Sequence, residues 1–107
     1  MAVMTAKMKT LLEKVKANLI IQHDEDDELL LGYITAAVDY AESYQKVSYE
    51  KRKIPPSTEQ AIVMLASHFF ESRDGATAGF FSDFVSAVDN VWKTANRLLA
   101  INKRWEV

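Results

Sequence analysis

The 107-residue chain contains no cysteine. That absence excludes disulfide scaffolds, cysteine-ligated zinc, iron–sulfur clusters and thiol catalysis, and it fits a reducing compartment. Glycine occurs three times and proline twice. No glycine-rich phosphate loop, dinucleotide fingerprint or G-x-S-x-G turn is present, which removes the commonest nucleotide-binding and serine-nucleophile frameworks. There is no N-x-S/T acceptor. The longest fully apolar run is the six residues Ala61 to Ala66, far below the roughly 20 that a membrane-spanning helix needs. The opening "MAVMTAKMK" is basic with no long apolar segment behind it, so it does not read as a signal peptide. Net charge is only −2, and no overall field draws the chain to nucleic acid.

What is present is helical periodicity in an ordinary globular composition, 49% hydrophobic and 26% charged. The length fits a single domain. "TLLE" has the form of a capping box at Thr10 and Glu13, with Leu12, Val15 and Leu19 on one stripe behind it. If Met4, Met8 and Leu11 extend that stripe, the helix begins near Thr5 instead; residues 1–9 otherwise read as a flexible arm. Ile20 and Ile21 read as a short extended link.

A second helix is predicted from about Asp24 to Tyr44. One stripe is Leu30, Ile34, Ala37, Ala41 and Tyr44; beside it run Leu29, Tyr33, Ala36 and Tyr40. So wide an apolar arc needs partners on more than one side, which makes this helix the expected central element. "QKVSYEKRKIPP" is then a long polar connection. Ser57 and Gln60 have the form of a second capping box and open a third helix, with Ala61, Ile62, Leu65 and Phe69 inward and Gly75 as its stop. A fourth helix runs from about Phe80 to Ala100 on Phe81, Phe84, Val88, Val91, Ala95 and Leu98. The period then changes: Ile101, Lys103, Trp105 and Val107 alternate as in an extended strand. The fold class is therefore all-α, a small bundle of about four helices. It carries a long connection between the second and third and a short extended tail over 101–107.

The run "HDEDDE" invites a metal reading. An EF-hand loop started at Asp24 places Asp26 and Glu28 correctly, but Leu29 stands where glycine is required and Thr35 where glutamate is required. His23 and His68 share no ligand spacing. Capping explains the acids: Asp24 suits an N-cap, and negative charge in the first turn complements the helix N-terminus. His68, in "ASHFFES", lacks the flanking groups that would tune a general base and reads as a packed histidine. No catalytic, metal or cofactor site is expected. "EKRK", Glu50 to Lys53, forms a basic loop patch near Tyr44 and Tyr49; alone it is weak evidence for nucleic-acid binding.

Three segments in order resemble a known family. "LLEKVKANLIIQHDEDDELLLGYITAAVDYAESY" is similar to the N-terminal signature of the gp6-like phage head–tail connector proteins. Lys16, Leu19, Ile21, Asp24 to Asp27, Leu29, Leu30, Ile34, Ala36, Ala37 and Tyr40 occupy its places. "IPPSTEQAIVMLASHFFESRDG" resembles the second signature through Ala61, His68, Phe69, Phe70, Glu71 and Arg73, and "VWKTANRLLAINKRW" resembles the C-terminal segment. "GATAGFFSDFVSAVDN" is longer and more apolar than the family's loop, so the last helix is expected to differ in length or docking.

The resemblance implies a non-catalytic, cofactor-free subunit made in the bacterial host cytoplasm and placed in the virion neck. It implies a homo-oligomeric ring that contacts the portal protein and the next neck or tail-completion protein. DNA would pass through the channel without sequence reading, and no membrane is involved. Candidate interface residues are Tyr44, Val47, Tyr49, Lys51, Arg52 and Lys53 in and beside the connection. Phe80 and Phe81 follow a glycine, and Lys103, Arg104, Trp105 and Val107 lie in the tail. The other reading is a small helical DNA-binding or regulatory protein that uses "EKRK" and the C-terminal cations.

Overall fold

The computed structural model describes residues 5–72 and 81–103, with side chains described over 5–72 and 89–103. Four helices follow in order: α1 (Ala6–Leu19), α2 (Asp27–Gln45), α3 (Pro56–Glu71) and α4 (Phe81–Ala100). The all-α expectation holds, and no strand occurs among the described residues. α3 packs against α1, α2 and α4. It buries eight residues along its length against five for α2, so α3, more than α2, is the centre of the bundle. Its composition explains this: Ala61, Ile62, Val63, Leu65 and Ala66 are small or aliphatic on nearly every side, and three helices can approach them.

The predicted stripes supply the core. Leu12 and Val15 of α1, Leu30, Ile34, Ala37 and Ala41 of α2, and Ala95 of α4 are all buried. The second stripe of α2 is only half-covered: Tyr33 and Tyr40 are partly buried, while Leu29 and Ala36 are exposed.

Helix ends depart from the sequence reading in instructive ways. α1 is capped by Thr5, whose Oγ1 accepts from the Met8 amide at 3.2 Å. Thr10 lies inside the helix and donates to the Ala6 carbonyl at 3.0 Å, so "TLLE" is not a capping box. The link at Ile20 is not extended. Ile20 adopts φ 58°, ψ 45°, its amide bonding Ala17 O at 3.3 Å and the Ile21 amide bonding Lys16 O at 2.9 Å, the paired bonds of a Schellman stop. α2 begins at Asp27 behind Asp26, and neither Asp26 nor Asp24 caps it through a side chain. Ser57 does not cap α3; Pro55 precedes that helix and Pro56 presets its first turn. α3 stops at Glu71, and Gly75 lies outside the described residues. Directly after α4, over 101–103, the chain turns rather than extends, the Asn102 amide returning to Leu99 O and that of Lys103 to Ala100 O, both at 3.2 Å. The remainder of the expected extended tail, 104–107, lies outside the described residues.

A β-branched residue in the left-handed region is strained, and Ile20 is 82% exposed, so little packing offsets the strain. Ile20→Gly should raise stability by about 0.5–1 kcal/mol, the relief being partly cancelled by the freer unfolded chain. A chemical-denaturation midpoint checks this.

Candidate interaction surface

The connection between α2 and α3 is organised by one polar side chain. Gln45 ends α2 and is fully buried. Its Nε2 donates to Thr58 Oγ1 at 2.7 Å and to the Leu99 carbonyl at 2.9 Å, while its Oε1 accepts from the Tyr49 hydroxyl. One amide thus ties together α2, α3, the end of α4 and the connection, with both its hydrogens donated and its oxygen accepting. Glu42 holds the Tyr49 amide at 2.7 Å. From α1, Lys7 Nζ donates to the Tyr49 carbonyl and, at 2.8 Å, to that of Arg52. Residues 46–55 are therefore pinned from two sides, and Lys51, Arg52 and Lys53 are presented exposed.

A row of half-buried rings runs beside this node. Tyr33 meets Phe69 at 6.2 Å, Phe69 meets Trp92 at 6.0 Å, and Trp92 meets Tyr40 edge-on at 5.0 Å and 76°. Tyr40 meets Tyr44 at 6.1 Å and donates to Asn96 Oδ1 at 2.6 Å. Lys103 Nζ lies 4.7 Å from the Tyr44 ring centre, within cation–π range. His68 is partly buried with its ring 6.3 Å from that of Phe69.

The acidic run forms a braced turn between α1 and α2. Lys16 Nζ reaches Asp24 Oδ1 and Asp27 Oδ1, both at 2.7 Å. The hydrogen bond it donates to Asp24, then that to Asp27, holds the Lys16 ammonium above its ordinary pKa of 10.5. The hydrogen bond from Lys16 holds Asp24 below its ordinary 3.8. A lowered carboxylate contributes stability above its unfolded pKa and loses it as pH falls through the folded value. A raised lysine contributes below its unfolded pKa and loses it as pH rises through the folded one. The brace is thus complete across the neutral range. Lys16→Met should destabilise at pH 7 and do so less at pH 3; urea midpoints of both proteins at the two pH values check this.

Of the sequence-predicted residues, the structure brings Tyr44 and Lys103 together and places Lys51, Arg52 and Lys53 on the surface. Val47 is partly buried. Tyr49 is 3% exposed and belongs to the core of the isolated chain, so its ring is not free to meet a partner there. Phe81 starts α4, and its side chain lies outside the described set; Phe80, Arg104, Trp105 and Val107 lie outside the described residues altogether. Three lysines of α1 are engaged: Lys7 binds the connection, Lys14 pairs with Glu59 at 2.5 Å, and Lys16 braces the turn. Sequence alone does not point to Gln45 or Lys7, and it reads Ile20 as extended rather than left-handed. Gln45 alone left a signal, since it falls four residues after Ala41 on the buried stripe. Among the described residues no cluster of histidines and carboxylates is arranged to hold a metal, and no helix is long and apolar enough to cross a membrane.

The described surface thus carries a fixed basic loop, an aromatic row and a braced acidic turn. No curated protein and no solved structure matches the chain. The family model of the phage gp6-like head–tail connector protein matches residues 9–101, a span that takes in α1 from its fourth residue and the whole of α2, α3 and α4. The chain belongs to the gp6-like phage head–tail connector family.

Proposed function

We propose that the chain is a ring-forming subunit of the virion neck, seated between the portal and the next neck or tail-completion protein, with DNA passing through its channel. The family is one of structural connectors and not of enzymes. The observation that carries the ring reading is the pinned connection, where Lys7 and Gln45 fix residues 46–55 so that a basic loop is displayed at low entropic cost. A ring needs two different, complementary surfaces on each copy. The connection supplies part of one, and the tail over 101–107 supplies part of the other. DNA in the channel is accommodated and its sequence is not read.

Deleting residues 102–107 should leave the four-helix fold intact by circular dichroism and weaken docking onto neighbouring copies at least tenfold, as followed by light scattering across a concentration series. Docking unchanged by the deletion would remove the tail from the interface.

A further inference from the structure

We infer that the groove beside the first turns of α1 and the end of the connection is the docking site for the α1–α2 turn of a second copy of this chain. The inference rests on the ring reading and names one of its contacts.

The groove has a volume of about 290 Å³ and is lined by Ala6, Thr10, Leu11 and Ile54 together with Lys7, Lys53 and Glu59. Its acidic member is already spent, because Glu59 pairs with Lys14. Its cations are reinforced by exposed Lys51 and Arg52 on the adjoining loop, where Glu50 is the one acid. The site is an apolar pocket under positive charge. It calls for an apolar tip flanked by carboxylates.

The same chain carries that shape at the other end of α1. Ile20 is 82% exposed and Leu29 is 42% exposed; these are two of the three large hydrophobic residues exposed among the described residues. Between them lie Glu25 and Glu28, both exposed, while Asp24 is held by Lys16. Lys16 and the Schellman bonds hold the turn in place, so the tip is presented without a large ordering penalty. α1 has 14 residues, so turn and groove stand roughly 20 Å apart along it and cannot satisfy each other within one copy. A contact between opposite ends of one helix in successive copies is head-to-tail, the type that closes into rings. Opposite charge at tip and groove fixes direction and disfavours tip-to-tip pairing.

The chain's lack of cysteine makes a clean test possible. Full-length chains carrying Ile20→Cys and Thr10→Cys are mixed under mild oxidation. The pair Ile20→Cys with Thr35→Cys, an exposed position on α2 away from the groove, serves as control. The first pair should form the mixed disulfide dimer at least tenfold faster than the control. Adding Glu25→Lys and Glu28→Lys to the Ile20→Cys chain should abolish the excess. Lys51→Glu and Lys53→Glu in the Thr10→Cys chain should restore it. Equal rates for the two pairs, or excess crosslinking untouched by charge reversal, would overturn the inference. Electron microscopy of the unmodified chain separates the two readings: rings without the crosslink leave the ring and remove this contact, whereas absence of both removes both.

Discussion

Gln45→Leu should destabilise the protein by about 2–4 kcal/mol although it makes the core more apolar. Leucine has nearly the same volume, so the loss comes from polar groups left behind. The Tyr49 hydroxyl loses its acceptor and Thr58 Oγ1 loses its donor, both in a buried site. Each orphaned buried group costs roughly 1–3 kcal/mol. The Leu99 carbonyl suffers least, because the Asn102 amide also donates to it. Adding Tyr49→Phe removes one orphan, so Gln45→Leu with Tyr49→Phe should fall clearly short of the sum of the two single changes. Urea-denaturation midpoints of the four proteins measure the coupling. Additive effects would show that the two side chains do not act as one network.

Leu65→Ala should have the other large effect. Leu65 is fully buried midway along α3, where α1, α2 and α4 all pack against the helix. Truncation removes transfer free energy and leaves a cavity that three neighbours must collapse to fill, at roughly 2–5 kcal/mol. For a domain of this size the melting temperature should fall by roughly 10–20 °C. The corresponding truncation of Leu19, which is only partly buried at the end of α1, should cost about 1 kcal/mol on the same area argument. Calorimetry of both variants checks the contrast. Equal effects would contradict the placement of α3 at the centre.

The bundle was legible because period 3.6 is a direct imprint of one-sided burial, and the stripes through Val15, Ile34, Leu65 and Ala95 all fall inside. Helix ends were less legible, because a Ser or Thr three residues before Glu or Gln also arises by chance within a helix. Thr10 shows this: its hydroxyl turns back to the Ala6 carbonyl while Thr5 does the capping. At Asp24 the cause is different. A tertiary partner, Lys16, outcompeted the local amides for its carboxylate. Ile20 left no trace at all, since isoleucine is the residue least expected at positive φ. For the interaction surface, the exposed cations Lys51 to Lys53 were visible in sequence, but Tyr49 counted there as a contact and in the structure is a buried strut. An aromatic in a polar connection can point either way, and only the Gln45 amide decides which.

The central claim, a ring-forming head–tail connector, is tested most directly by electron microscopy of the purified chain mixed with a portal assembly. The account predicts closed rings of this chain stacked coaxially on the portal, with an open channel along the axis. A chain that stays dispersed and leaves the portal undecorated at every concentration tried would contradict it.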